Sequence, residues 1–318
     1  MLWEEAEKIT LLGVEMYAYG LFIAVAALCA AAAVFILCRM RNRTAGTAPL
    51  LVLLMLLCGG VLSRLGYCLM NRSLGYMMPV DTWFWITAGG WSMAGVIGGS
   101  FLAAWLTSRI LRQDTGSLLD ITSISLLLFI TGERIAERFI PGFNMSRPLD
   151  TEWLASSFLA QSDIYGSYLR SYYICAFVAL ALFFVLLFHY RKTENGETWI
   201  IFMMLYGSAA IVTESLHYDY FLNISFVGLE QVLAGVLMLC GVVAAAVRCR
   251  RCGTPLRIIS VCLALAAMGG VLGLEFAIDR SGWNRFLLYG AMIVVVLIPF
   301  AAGCLMIRRN KQRGTSAT

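Results

Sequence analysis

Nine long apolar stretches constrain the fold of this chain more than any other feature of its sequence. A helix of about 20 apolar residues crosses roughly 30 Å of hydrocarbon, because each residue adds about 1.5 Å. Only 14% of the 318 residues are charged, against about 25% in soluble domains. We therefore predict an all-α, polytopic membrane protein with about nine transmembrane helices. The stretches are 16–38, 47–70, 84–108, 117–140, 171–190, 199–216, 225–247, 256–277 and 284–306.

The distribution of positive charge predicts how these helices cross the membrane. If the N-terminus lies outside, fifteen of the 24 lysines and arginines fall in inner loops, six fall in outer loops and three lie within spans. Positive residues are enriched in cytoplasmic loops. We therefore predict an N-terminus outside and a cytoplasmic C-terminus whose basic tail faces the membrane surface, and we do not expect nucleic acid as a partner.

Ten cysteines are spread along the chain, mostly within spans, where they behave as small apolar residues. Cys249 and Cys252 form one CxxC pair on a basic inner loop, and His189 lies on another loop. A zinc site would need further ligands. We predict a reduced pair of thiols, with no metal and no cofactor.

Four charged residues lie close together in the later part of the fourth span, where charges cost free energy in a bilayer unless they are paired or hydrated. Glu133, Arg134, Glu137 and Arg138 fall within an arc of about 140° if the helix is regular, and Arg134 is spaced to pair with Glu137. They form either a functional site or a neutralised ion-pair cluster between helices.

Several of these polar positions are predicted to lie at one depth in the membrane. Arg64, Arg134 and Glu214 lie about 22–25 Å along outward-running spans, counted from the cytoplasmic side. Gly95 and Gln231 lie about 10 Å from the outer surface on inward-running spans. This shared depth favours one site that opens towards the outer leaflet.

The third span contains a cluster of glycines. Small residues allow helix backbones to approach closely, which is one interpretation. The alternative is that the exposed backbone contacts a lipid head group. The cluster consists of Gly89, Gly90, Gly95, Gly98 and Gly99.

Six segments between residues 16 and 247 resemble, in order, the motifs of the prolipoprotein diacylglyceryl transferases of bacterial inner membranes. They are Tyr19-Gly20, Ser63-Arg64-Leu65-Gly66-Tyr67, Gly89-Gly90-Trp91-Ser92-Met93-Ala94-Gly95, Asp120 with Glu133-Arg134-Ile135-Ala136-Glu137, Tyr206-Gly207 with Glu214, and Gln231. The last two spans have no counterpart in this seven-span pattern. We accordingly expect a transferase-like membrane domain at 1–250 and two additional helices with a basic tail at 251–318.

The chain departs from the family motifs at positions that matter for catalysis. Arg134 is retained, and an extra residue, Arg138, follows the fourth-span motif. The replaced positions are Ala94 for histidine, Glu137 and Pro141 for asparagines, and Ala210 and His217 for arginines.

The resemblance implies transfer of the diacylglyceryl group of phosphatidylglycerol, or another anionic phospholipid, to the cysteine thiol of a lipobox-containing preprotein. It places the protein in the bacterial plasma (inner) membrane. Arg134 suits the leaving phosphate, with Glu214 as its supporting carboxylate. The base that takes the thiol proton is Glu137, Glu214 or His217. The catalytic candidates are Arg134, Glu214 and Glu137, and the substrate-binding candidates are Tyr19, Arg64, Gly95, Gly98, Gly99, Tyr206 and Gln231.

Two other functions stay open from the sequence. The losses at Ala94 and Ala210 favour a catalytically inactive paralogue that binds lipid or a lipoprotein precursor. A transporter that uses the fourth-span charges is disfavoured, because no inverted repeat is evident and the charges lie in the outer third rather than at the midplane.

Overall fold

The computed structural model describes residues 7–11, 13–73, 90–140, 148–149, 151–163, 166–193, 195–217, 223–224 and 226–315. Helices make up 78% of the structure, and nine helices in the described ranges are long and apolar enough to span a membrane. The all-α polytopic fold is therefore confirmed, whereas the orientation of the termini stays a prediction. The spanning helices are α1 (Ala18–Met40), α2 (Thr47–Ser73), α3 (Met93–Leu111), α4 (Thr115–Ala136), α6 (Ser171–Tyr190), α7 (Thr198–Ser215), α8 (Leu229–Arg248), α9 (Thr254–Arg280) and α10 (Arg285–Thr315), and α5 (Glu152–Ala155) is a single turn.

Three short antiparallel hairpins each come before a spanning helix. They are β1 (Lys8–Leu11) with β2 (Val14–Tyr17) before α1, β3 (Ala160–Asp163) with β4 (Gly166–Leu169) before α6, and β5 (Asn223–Ile224) with β6 (Val227–Gly228) before α8. Their registers pair Lys8 with Tyr17, Ala160 with Leu169 and Asn223 with Gly228. On the predicted topology all three hairpins lie on the outer side.

The third span begins later than predicted. The sequence indicated a helix from residue 84, but residues 90–92 are not helical and α3 starts at Met93. Gly90 has a positive φ of 78°, and the Ser92 side chain accepts a hydrogen bond from the Gly95 amide as an N-cap. A hydropathy profile does not detect a cap or a positive φ. Residues 84–89 lie outside the described residues.

The chain forms two compact units, one comprising 1–198 with 216–222 and the other 199–215 with 223–318. The first contains α1 to α6, and the second contains α8, α9, α10 and nearly all of α7. This division differs from the one predicted at residue 250, which follows the extent of the family motifs and stays a prediction.

Close backbone approaches hold the first unit together. A Cβ added to Gly95 would meet the backbone of Leu62 and Ser63 in α2, and one added to Gly99 would meet the Cys58 carbonyl. A Cβ on Gly132 in α4 would meet Ala26 in α1. These contacts fix α3 against α2 and α4 against α1.

The end of α6 and the loop that follows it are joined to α1 and α4 by polar contacts. Asp120, which is fully buried near the start of α4, accepts a hydrogen bond of 2.6 Å from the Gly196 amide. Arg41 donates to the carbonyls of Tyr190 (2.8 Å) and Thr193 (3.1 Å). These bonds connect the end of α1 and the start of α4 to the end of α6 and the loop that follows it.

In the second unit, α7 packs closely against α8. A Cβ on Gly207 would lie 2.7 Å from the Met238 amide nitrogen, and one on Gly241 would lie 2.8 Å from the Met204 amide nitrogen. Ser208 also donates a hydrogen bond of 3.2 Å to the Val296 carbonyl in α10. The additional helices α9 and α10 therefore belong to the same compact unit as the last two helices of the family pattern.

Candidate functional site

The centre of the candidate site is a buried ion pair at the end of α4. Arg134 Nη1 lies 2.6 Å from Glu137 Oε1, and Arg134 Nε lies 3.6 Å from Glu133 Oε2. Arg134 is 7% exposed and Glu137 is 6% exposed. The guanidinium is therefore held between two carboxylates, and the pairing that the i, i+3 spacing allowed is present.

Arg138 does not join the buried charges, because the chain does not continue as the regular helix for which the arc of 140° was calculated. The helix ends at Ala136, and Glu137–Phe139 form a 3₁₀ turn. Each residue of such a turn advances about 120° instead of 100°, which carries Arg138 farther round the axis. Arg138 is exposed and donates a 3.2 Å hydrogen bond to the Tyr173 hydroxyl.

A histidine and a cysteine extend the ion pair within the first unit. His217 Nε2 lies 3.6 Å from Glu137 Oε2, and His217 Nδ1 lies 3.9 Å from the Cys175 sulfur in α6. The four side chains therefore form a continuous chain from Arg134 through Glu137 and His217 to Cys175. The sequence had named His217 among three possible bases, but it had not singled out Cys175.

Tyr19 lies close to the ion pair at the end of α4. It stands at the start of α1, near the charged side chains of Glu133, Arg134 and Glu137. Phe22 in α1 packs against Phe139 of the 3₁₀ turn, with 4.7 Å between ring centroids and an angle of 37° between the ring planes. Packing of α1 against the end of α4 thus brings together two of the segments that carry the family motifs.

Arg64 is held where α2 meets the start of α3. It is 8% exposed, donates a 3.0 Å hydrogen bond to the Gly90 carbonyl and lies 5.8 Å from the centre of the Tyr67 ring. Ser63 and Ser92 exchange two hydrogen bonds beside it, of 2.8 and 3.2 Å. These contacts hold the guanidinium beside the Gly90 carbonyl and the Tyr67 ring, and its sharing a site with Arg134 stays a prediction.

The glycines of α3 fall into two groups. Gly95 and Gly99 are required for the close approach to α2 described above. Gly98 is exposed, and a Cβ added there would meet nothing within 4 Å. Close packing therefore explains the first two, whereas only Gly98 presents open space in front of its backbone. Substrate contact by any of the three stays a prediction.

In the second unit, Gln231 belongs to a buried polar cluster. Gln231 Nε2 donates to the Ile211 carbonyl at 3.1 Å and to Glu275 Oε2 at 3.4 Å. Ser215 Oγ donates to the same carboxylate oxygen at 2.7 Å, and the Tyr289 hydroxyl donates to the Ser215 carbonyl at 3.2 Å. The sequence had not predicted Glu275 or Tyr289, although a carboxylate within a span is itself a signal.

Two other predicted residues also belong to the second unit. Tyr206 is buried, and its ring stacks on Phe202 with a centroid separation of 5.3 Å. Glu214 lies near the end of α7 and is half-buried. Its predicted support of Arg134 joins residues of different units and stays a prediction.

The described residues contain no group of three or more histidine, cysteine, aspartate or glutamate side chains arranged to hold a metal ion. Cys249 and Cys252 are both buried, and the Cys252 thiol donates to the Met306 carbonyl at 3.1 Å. The Cys252 thiol therefore joins the segment after α8 to α10.

A comparison with known protein families matches residues 7–247 to the sequence model of the prolipoprotein diacylglyceryl transferases. The match covers well over half of the chain and ends one residue before the end of α8. It includes every candidate site residue inferred from the sequence. A search among curated proteins found no match.

Proposed function

Because this chain belongs to the prolipoprotein diacylglyceryl transferase family, we propose that it transfers diacylglyceryl from phosphatidylglycerol, or another anionic phospholipid, to a lipobox cysteine thiol. The sulfur forms a bond to the terminal glyceryl carbon, and the bond from that carbon to the phosphate oxygen breaks. Glycerol phosphate leaves, and the thiol proton goes to a base on the protein. The setting is the bacterial plasma membrane, and the acceptor is a secreted preprotein.

The chain from Arg134 to Cys175 carries this proposal. A planar guanidinium can bind a phosphate in bidentate fashion, and Glu133 and Glu137 orient the one on Arg134. Negative charge develops on the phosphate oxygen as the glyceryl bond breaks. A fixed positive charge in a poorly hydrated site stabilises it strongly.

His217 is the best-placed base. The Glu137 carboxylate lies 3.6 Å from Nε2, where it would stabilise the imidazolium that forms when a proton is taken up. Nδ1 faces the Cys175 sulfur and not a carboxylate, so it is the ring nitrogen that would accept the proton of the acceptor thiol. His217 thus compensates for the family histidine that is absent at Ala94.

The other candidates bind substrate in this proposal. Glu214 remains the supporting carboxylate that the family resemblance implies. The substrate-binding set is Tyr19, Arg64, Gly95, Gly98, Gly99, Tyr206 and Gln231.

The experiment is transfer from labelled phosphatidylglycerol to a lipobox peptide, with the full chain in nanodiscs. His217→Gln should lower the rate by about 100- to 10,000-fold, the usual contribution of a general base. The chain has one other histidine, His189, which is one-third exposed and lies 3.4 Å from Glu197. His189→Gln is therefore the matched control and should leave the rate unchanged.

Arg134→Ala should lower the rate by roughly 30- to 1,000-fold, because it removes about 2–4 kcal/mol of transition-state stabilisation. Arg134→Lys should retain only part of the wild-type rate, since an ammonium lacks the planar, two-pronged geometry of a guanidinium. Transfer that is indifferent to both Arg134→Ala and His217→Gln would exclude this mechanism.

The second candidate function is a catalytically inactive lipid- or precursor-binding paralogue, and the alanines at positions 94 and 210 favour it. Retained phosphatidylglycerol binding with no transfer would support it. Ala94→His combined with Ala210→Arg should then create transfer activity, whereas in an active enzyme the two changes should raise an existing rate.

A further inference from the structure

The amide of Gln231 has one orientation that its surroundings permit. Its Nε2 faces two acceptors, the Ile211 carbonyl and Glu275 Oε2. Rotating the amide by 180° would place an oxygen against both of them. The hydrogen-bond network therefore assigns the Oε1 atom to the other side.

That Oε1 atom is buried, and it has no hydrogen-bond partner within the part of the chain that the structure describes. Gln231 is 3% exposed. Buried polar atoms in folded proteins nearly always have a partner, and one that lacks it costs free energy. An amide oxygen accepts hydrogen bonds and donates none, so the missing partner is a donor.

The need for a donor also excludes a phosphate as that partner. Glu275 is 2% exposed and places a carboxylate in the same cluster. An ionised phosphate diester has no proton to donate, so it cannot supply the hydrogen bond that an amide oxygen accepts. A hydroxyl can donate one.

We infer that Gln231 Oε1 accepts a hydrogen bond from a hydroxyl of a phospholipid polyol head group, and that Glu275 is the positioning residue that holds the amide in this orientation. This assignment rests on the proposed function, which supplies a phospholipid with a glycerol head group. It also gives α9, which lies beyond the family match, a role in substrate selection.

The neighbouring contacts fix Glu275 in turn. Ser215 Oγ donates to its carboxylate at 2.7 Å, and Tyr289 in α10 donates to the Ser215 carbonyl. Both additional helices therefore contribute to the orientation of the amide. The cluster joins α7, α8, α9 and α10 within one compact unit.

The test compares lipids that share a charge and differ in hydroxyls. Phosphatidylglycerol and phosphatidylethanol each carry one negative charge, but only the first has head-group hydroxyls. We expect the full chain in nanodiscs to bind phosphatidylglycerol about tenfold more tightly, as one buried hydrogen bond would give. Gln231→Leu should abolish the preference while leaving the affinity for phosphatidylethanol within about twofold.

Variants of Glu275 separate positioning from folding. Glu275→Leu removes the acceptor for Gln231 Nε2 and should reduce the preference, whereas Glu275→Gln keeps an acceptor and should retain most of it. Asp279→Asn, on the same helix but about one-third exposed, is the control and should change nothing. Thermal unfolding of each variant identifies any loss of preference that comes from misfolding.

The outcomes separate this inference from the proposed function. Preference without transfer would keep the subsite and remove the transferase. Equal binding of the two lipids, or a preference that survives Gln231→Leu, would overturn the subsite alone. Tighter binding of phosphatidylethanolamine would assign an ammonium donor instead and overturn the hydroxyl, and no binding of any of these lipids would overturn both.

Discussion

The ion pair between Arg134 and Glu137 permits a test that separates a structural role from a catalytic one. The two side chains are 9% and 7% exposed, with 2.6 Å between Nη1 and Oε1. Removing one partner of a buried pair leaves an uncompensated charge and typically costs about 3–5 kcal/mol. Arg134→Gln should therefore destabilise the protein by about 3 kcal/mol, near the lower limit because His217 also faces Glu137.

The double variant Arg134→Gln/Glu137→Gln should recover most of that stability. Neutral partners replace both charges, and replacing both members of a buried pair is often nearly neutral for stability. Transfer activity should nevertheless stay as low as in Arg134→Gln, because the guanidinium that binds the phosphate is still missing. Comparing the single and double variants therefore separates the effect of Arg134 on the free energy of unfolding from its effect on the rate of transfer.

The assay combines denaturant unfolding in mixed micelles with the transfer reaction on the same preparations. The exposed pair of Asp279 and Arg280, with 3.5 Å between Oδ2 and Nε, is the stability control. Asp279→Asn should cost less than about 1 kcal/mol, as exposed pairs usually do. If the double variant regains transfer together with stability, Arg134 acts only in folding and its role with the phosphate is refuted.

Three further predictions concern the phosphate site, the packing of α3 and the topology. Glu133→Gln removes a carboxylate 3.6 Å from Arg134 Nε. It should therefore tighten equilibrium binding of an anionic phospholipid several-fold by reducing electrostatic repulsion. Unchanged or weaker binding would contradict the phosphate site. Gly99→Leu should lower the midpoint of thermal unfolding, because the leucine side chain would clash with the Cys58 carbonyl at a cost of at least about 1–3 kcal/mol. Gly98→Leu should leave the unfolding midpoint unchanged and lower the rate of transfer. Topology can be tested by labelling single introduced cysteines. Those at Arg43, Arg112, Lys192 and Arg251 should be labelled only from the cytoplasmic side, and one at Gly282 only from outside. Labelling of position 251 from outside would contradict the predicted topology.

Sequence reasoning predicted the spanning helices because hydropathy over about 20 residues is a local property. It was less accurate where single residues end a helix. The Ser92 cap shifts the start of α3, and the 3₁₀ turn at Glu137 moves Arg138 out of the cluster. These are features of one or two hydrogen bonds, which a window of apolar residues averages away.

The candidate site was only partly predictable for a different reason. Arg134 and Glu137 are three residues apart, so their pairing is local and followed from the sequence. The contacts of His217 with Glu137 and Cys175 span 80 and 42 residues of the chain and depend on how helices pack. Cys175 also lies in an apolar span, where a cysteine is expected to behave as a small hydrophobic residue.

Glu275 changes how the divergence of the second unit is understood. At the position of the family arginine, α7 carries Ala210, and the amide of Gln231 bonds to the next carbonyl along that helix, Ile211. The same unit contains a buried carboxylate from a helix outside the family match. Relative to the family pattern, this unit has lost a positive charge and gained a group that is negative when ionised, so it is poorly suited to bind a phosphate. A carboxylate buried among hydrogen-bond donors is suited instead to recognise a donor. In our proposal, phosphate binding therefore depends on Arg134 and Arg64 in the first unit.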